Sequence, residues 1–150
     1  GNLTLTSNTF INNTATGSGG AIYNNNGLII MHFNRIFGNL PNAVTNVGSA
    51  QINATNNWWG TNNPSGLFVG DVNFTPWILL NITTSTDPLH TSSNSIITAD
   101  LSHNSMGDDT SSQEHIPDGI LVRFNSSPIN LGSLNLCWHC QTFSPRFFLY

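Results

Sequence analysis

Apolar residues in the first third of the chain come in short runs that return at near-constant intervals, separated by Asn and Gly. Phe10-Ile11-Asn12-Asn13 is followed by Gly19-Gly20-Ala21-Ile22-Tyr23-Asn24 and then by Gly27-Leu28-Ile29-Ile30. One turn later come Ile36-Phe37-Gly38-Asn39, Asn42-Ala43-Val44-Thr45-Asn46 and Gly48. The offsets are 26 residues from Asn13 to Asn39, 22 from Ala21 to Ala43 and 21 from Gly27 to Gly48, which places extra loop residues around Gly17–Gly20 in the first copy. A third, degenerate copy runs from Gln51 to Asn57 and ends in Trp58-Trp59-Gly60. A period near 22, built of apolar triplets, predicts coils of a parallel β-solenoid, each with two or three short strands. Helix is disfavoured by the Asn, Gly and β-branched content. Asn suits the corners, because it tolerates positive φ and because stacked amides can donate to and accept from one another as a ladder.

The pattern changes after Trp77. Ile78-Leu79-Leu80-Asn81-Ile82-Thr83, Ser95-Ile96-Ile97-Thr98-Ala99-Asp100-Leu101 and Gly119-Ile120-Leu121-Val122-Arg123-Phe124-Asn125 alternate apolar with polar residues and are separated by polar loops. This predicts strands with one face buried against a second sheet, as in a sandwich. Between the two patterns, Trp58, Trp59, Phe68, Val69, Phe74 and Trp77 supply bulky apolar surface, with Pro64 and Pro76 interrupting strand pairing. They are expected to cap the last coil, since an open coil leaves strand edges unpaired. No equivalent group precedes the first repeat, and further coils are expected before Gly1.

The Phe-x-x-Asn and Gly-Gly-Ala-Ile motifs, Phe10–Asn13 and Gly19–Ile22, resemble the repeat signature of polymorphic outer-membrane-protein and adhesin-like β-helices. Asn56-Asn57-Trp58-Trp59-Gly60-Thr61-Asn62-Asn63-Pro64 followed by Pro76-Trp77-Ile78 resembles the end of such a helix in adhesin-like surface proteins of methanogenic archaea. The stretch from Ile96 to Leu134, with Thr98–Leu101, the loop His103–His115, Pro117-Asp118-Gly119-Ile120 and Leu131-Gly132-Ser133-Leu134, is similar to the start of an invasin/intimin-type bacterial immunoglobulin-like domain. Such a domain needs about 90–100 residues and seven strands, whereas residues 78–135 number 58. The tail then reads Leu136-Cys137-Trp138-His139-Cys140 and Phe147-Phe148-Leu149-Tyr150, as a shifted reading frame would give.

Composition narrows what these elements can do. The chain has 150 residues with 3 Lys+Arg and 7 Asp+Glu, while 23 Asn, 16 Ser and 16 Thr carry its polarity. With no Lys and three scattered Arg it lacks the cations of a phosphate-backbone binder, so no nucleic-acid partner is expected. The apolar runs are too short to cross a bilayer as helices, so no membrane insertion is expected in this segment. Residues 1–70 hold one charged side chain, Arg35, and with His32 and Tyr23 these are their only ionisable side chains. Paired carboxylates of the glycosidase kind are therefore missing from the visible coils. His32 and Arg35, three apart, are expected on different faces of a strand, with His32 an ordinary surface or corner residue.

Asp108, Asp109, Glu114, His115 and Asp118 could offer oxygen ligands to Ca²⁺ but lack EF-hand spacing, and read as a solvated turn-rich loop. Cys137, His139 and Cys140 lack the fourth ligand of a structural zinc site; the Cys pair could form a disulfide in an oxidising exterior. The Asn-x-Ser/Thr sequons at Asn2, Asn12, Asn53, Asn73, Asn81 and Asn125 are about as many as the composition alone supplies. No catalytic residue, metal ligand or cofactor is therefore assigned.

The sequence thus predicts an all-β chain: the C-terminal coils of a right-handed parallel β-helix and cap over residues 1–77, an incomplete immunoglobulin-like β-sandwich over 78–136, and an atypical tail over 137–150. The resemblances imply a non-catalytic, extracellular or cell-surface adhesin-like rod with an immunoglobulin-like spacer. Its partners would be host or neighbouring-cell surface glycans or proteins. The alternatives are a β-helix lyase or hydrolase with its catalytic coils upstream, and a surface-layer structural protein without a specific ligand.

Overall fold

The computed structural model describes residues 1–85, 97–125 and 130–136. These residues are all-β, and the first part is a parallel β-helix whose sheets are built by stacking equivalent strands of successive coils. The first coil supplies β1 (Asn2–Thr6), β2 (Thr9–Ile11) and β3 (Ile22–Asn24); the second supplies β4 (Leu28–His32), β5 (Arg35–Phe37) and β6 (Val44–Asn46). From the third come β7 (Ile52–Asn53) and β8 (Phe68–Val69), and β9 (Val72–Asn73) opens a fourth. The first sheet has the order β1-β4-β7-β9, the second pairs β2 with β5, and the third has the order β3-β6-β8. An isolated bridge from Arg35 to Trp58 continues the second sheet into the third coil.

Register follows the sequence repeat. Leu5 stacks on Met31, Phe10 on Ile36, Ile22 on Val44 and Val44 on Phe68. The inward residues form one column, with Met31, Ile36, Val44 and Ile52 fully buried and Leu5, Phe10, Phe68 and Val72 packed against it. Alternation in parallel strands puts every second side chain into this column, so a slip of one residue would turn the apolar set outward.

The corners carry the Asn ladders the repeat predicts. At the corner after the first sheet, the Asn8 N–H donates to Asn34 Oδ1 at 2.8 Å, and the Asn34 N–H and Nδ2 both reach Asn57 Oδ1 at 2.9 Å. After the second sheet, Asn13 Nδ2 donates to Asn39 Oδ1 at 2.8 Å; after the third, Asn24 Nδ2 donates to Asn46 Oδ1 at 3.0 Å. Asn24, Asn34, Asn39, Asn46 and Asn57 are buried, so the amides also satisfy backbone groups that water cannot reach.

Positive φ, one reason Asn was expected at the corners, is found at Asn12, Asn26 and Asn56, and at the first two corners it falls on the residue just before each laddered Asn. Ser7, Phe33 and Asn56 are left-handed before Asn8, Asn34 and Asn57, and Asn12 and Gly38 are left-handed before Asn13 and Asn39. The bend and the ladder are separate tasks of adjacent positions. At Gly38 the need for glycine is steric as well, since a Cβ there would run into Asn12 Oδ1 of the coil before.

From the third coil into the fourth, four aromatic rings form a chain of contacts. Trp59 meets Phe68 edge-on at 4.7 Å, Phe68 stacks on Phe74 at 4.3 Å, and Phe74 lies 5.8 Å from Trp77. Val69, expected among them, faces outward on the third sheet and is half exposed. Phe74, read from sequence as part of the cap, follows directly on β9, so the first sheet extends one strand further than the three recognised repeats.

The chain divides into two compact units, and the division differs from a cut after residue 77. The first unit is Gly1–Leu79 together with Ser102–Pro117. Segment Ser102–Pro117 runs back along the corner that follows the first sheet: the Ser105 N–H donates to the Trp77 carbonyl at 2.7 Å, Asn104 Nδ2 to Asn56 Oδ1 at 3.3 Å, and Ser7 Oγ to the His115 carbonyl at 3.0 Å. Loop His103–His115, expected in the sandwich module, therefore straps the coils, because its polar groups find partners at the left-handed Ser7 and Asn56 and at the Trp77 carbonyl.

The second unit comprises the described residues of Leu80–Leu101 and Asp118–Tyr150. β10 (Ile78–Thr84) pairs with β11 (Ile97–Asn104), and β12 (Ile120–Asn125) is antiparallel to β13 (Asn130–Leu136). Ile120 and Val122 are buried while Leu121 is half exposed, as the alternation predicts. Among the described residues these strands form two separate two-stranded sheets.

Candidate functional site

The three ionisable groups of the first coils lie on three different sheets. His32 ends β4 on the first, Arg35 opens β5 on the second, and Tyr23 stands outward and 55% exposed on the third. His32 and Arg35 are thus separated by a corner of the β-helix and do not share a strand. The Arg35 guanidinium carbon lies 5.4 Å above the Phe37 ring, a cation–π arrangement. His32 is half-buried, with Nδ1 3.0 Å from the Thr55 carbonyl and 3.1 Å from Thr55 Oγ1. A carbonyl only accepts, so this contact selects the tautomer with the proton on Nδ1 and leaves Nε2 as an acceptor when the ring is neutral.

The acidic loop is held by local hydrogen bonds. Asn104 Nδ2 donates to Asp108 Oδ2 at 3.0 Å, and the Asp108 N–H donates to Asn104 Oδ1 at 3.1 Å. The Ser111 N–H donates to Asp109 Oδ1 at 2.8 Å. The Ser111 hydroxyl and N–H, with a smaller contribution from His103, hold the Asp109 carboxyl below the usual aspartate range. An NMR titration is expected to give Asp109 a midpoint below that of an ordinary aspartate, and Ser111→Ala is expected to raise it. A depressed folded-state pKa stabilises the fold at pH values above the unfolded midpoint and loses that effect on acidification. No three His, Cys, Asp or Glu side chains converge as a metal-binding group among the described residues. Cys137, His139 and Cys140 lie outside the described residues.

What the coils do bring together is the outward face of the first sheet, which the sequence reading did not single out. Strand alternation sends Leu5, Met31, Ile52 and Val72 inward, so their neighbours form ranks across the four strands. One rank runs Thr4, Ile30, Asn53, Asn73 through direct register partners. A second pairs Thr6 with His32 and continues through the His32–Thr55 hydrogen bonds. A third pairs Asn2 with Leu28 and continues to Gln51 and Asp71, where Gln51 Nε2 donates to Asp71 Oδ1 at 2.8 Å.

Thr55 Oγ1 donates to Asn53 Oδ1 at 3.1 Å, and the Thr75 N–H donates to Asn73 Oδ1 at 3.3 Å, so the polar groups of the face are oriented by their neighbours. Its one carboxylate is Asp71, and it carries neither Lys nor Arg. The available signal was the recurrence of apolar residues between Asn or Thr, in Leu3-Thr4-Leu5-Thr6, Ile52-Asn53-Ala54-Thr55 and Val72-Asn73-Phe74-Thr75. Three of the six sequons, at Asn2, Asn53 and Asn73, arise from this alternation, because Asn and Thr two apart both point outward.

Residues 9–25 match the Chlamydia polymorphic membrane protein repeat. The match spans β2, the corner and β3, and the fold explains its residues. Phe10 and Ile22 enter the core column, Asn13 begins a ladder, and a Cβ on Gly20 would sit 2.5 Å from the Leu40 carbonyl oxygen of the next coil. Neither the curated proteins nor the solved structures give a match.

Proposed function

We propose that the chain is a segment of an extracellular, cell-surface adhesin-type protein, in which the β-helix acts as a rod presenting a contact surface and performs no catalysis. The observation that carries this reading is the polymorphic membrane protein repeat at residues 9–25, lying on structural positions of a coil. The dispersal of His32, Arg35 and Tyr23 over three sheets supports a non-catalytic role. The likeness of the Asn56–Ile78 region to adhesin-like proteins of methanogenic archaea, and of residues 96–134 to invasin-type immunoglobulin-like modules, supports a surface protein with a spacer after the rod.

Protease shaving of intact cells that produce the protein tests the location. Peptides from residues 1–79 are expected in the released fraction; their recovery only after lysis would overturn the proposal. Binding of the purified chain to whole cells then separates an adhesin from a surface-layer protein with no ligand of its own.

A further inference from the structure

The chemistry of the outward face of the first sheet selects a particular class of ligand. Its ranks consist mainly of hydroxyl and amide groups, each able to donate and to accept, with Leu28, 43% exposed, and half-buried Ile30 between them. A polyanion such as a nucleic acid or a sulfated or uronic glycan would meet no Lys or Arg here. The complementary partner is uncharged and hydroxyl-rich, with apolar C–H faces to lie on Leu28 and Ile30.

Geometry adds a periodicity. Equivalent groups recur every strand spacing, about 4.8 Å along the helix axis, so four strands offer a line about 14 Å long. That repeat is close to the length one ring occupies in an extended, equatorially linked sugar chain. Segment Ser102–Pro117 is bonded to Asn56 and Ser7 at the adjoining corner, in the third and first coils. The groups are also preorganised: the strands fix the backbones, Thr is stiff at χ1, and the Asn53–Thr55 and His32–Thr55 hydrogen bonds hold side chains that would otherwise be ordered on binding.

We propose that this face binds a linear neutral polysaccharide laid along the helix axis, about one sugar ring per coil. The proposal deepens the adhesin reading by naming what the rod holds, and rests on that reading only for the setting in which binding occurs. Its test uses the purified 150-residue chain made in a host that does not glycosylate sequons, titrated with cello-, manno- and chito-oligosaccharides of two to six rings. At least one series is expected to bind, with affinity rising about tenfold or more from two rings to four and little beyond, and with little dependence on salt. Amide shifts are expected to move in β1, β4, β7 and β9 and not in the third sheet.

Thr4→Arg and Asn73→Arg, both at exposed positions, are expected to weaken binding at least tenfold with an unchanged circular dichroism spectrum. Tyr23→Ala on the third sheet is expected to leave it intact. The wild-type length dependence and shift map decide the matter even where a variant fails to fold. Absence of binding to all three series, affinity independent of length, shifts centred elsewhere, preference for polygalacturonate or heparin fragments, or retention on ice in place of glycans would each overturn the proposal. Those outcomes leave the protease-shaving result untouched, so failure of the ligand assignment and failure of the surface location are distinguishable.

Discussion

Replacing Asn57 by alanine is expected to lower the unfolding free energy by about 4 kcal/mol, a large part of the ~5–15 kcal/mol that holds a domain of this size together. Asn57 is fully buried, and its Oδ1 accepts from both the N–H and Nδ2 of Asn34. Its Nδ2 reaches the carbonyls of Met31 and Ala54 at 2.7 Å and of Thr55 at 3.3 Å. Truncation strands donors and acceptors from two successive coils in a place water cannot enter, and each orphaned group costs about 1–3 kcal/mol. Denaturant unfolding followed by circular dichroism reads the change as a lower midpoint.

Asn57→Asp separates hydrogen bonding from packing, because the shape is kept while the donor becomes an acceptor. An Oδ2 in the place of Nδ2 faces the carbonyls of Met31, Ala54 and Thr55, which disfavours the ionised form and raises the folded-state pKa above the unfolded value. A carboxyl raised in this way destabilises the fold above the unfolded midpoint and recovers as the pH falls and the group protonates. The variant is therefore expected to be less stable than Asn57→Ala at neutral pH and to approach it in acid. Asn57→Asp as stable as the wild type at neutral pH, with Asn57→Ala well below both, would show that the ladder amide contributes only volume.

These effects follow from a ladder that was legible before any coordinates, because the offsets 26 and 22 recur in the pairing of Asn13 with Asn39 and of Ile22 with Val44. Repeats are legible when the same side-chain chemistry returns at the same structural position, as it does for inward apolar residues and laddered Asn. The division of labour at the corners was less visible, since Ser7, Phe33 and Asn56 share a backbone conformation and no side-chain chemistry. The fourth strand of the first sheet was hidden because Val72 and Phe74 fall among aromatic residues that look like a plug from sequence alone. Segment Ser102–Pro117 could not be placed either: Asn104, Ser105 and His115 reach the coils across sequence separations of 28 to 108 residues, and no local pattern encodes such partners. The outward face was written in the sequence as an alternation of two, but its meaning depends on knowing which strands stack.

Truncation of Trp59 to alanine is expected to cost about 3–5 kcal/mol, the range for removing a large aromatic side chain from a core. Trp59 is 2% exposed, belongs to the apolar column and begins the chain of rings through Phe68 and Phe74 to Trp77. Its loss opens a cavity beside Phe68 and removes an edge-to-face contact worth about 0.5–1.5 kcal/mol beyond burial. Trp59→Phe is expected to be far milder, and the reason is specific to this site. The indole Nε1 is buried with no hydrogen-bond partner, a condition that itself costs about 1–3 kcal/mol. Phenylalanine keeps a ring against Phe68 and removes the orphaned N–H, so relief of that penalty offsets the smaller loss of volume. Thermal unfolding of the three proteins side by side should order them wild type close to Trp59→Phe, with Trp59→Ala well below. A Trp59→Phe variant as unstable as Trp59→Ala would mean that the indole N–H is satisfied in solution and that its hydrogen bond holds the end of the coil.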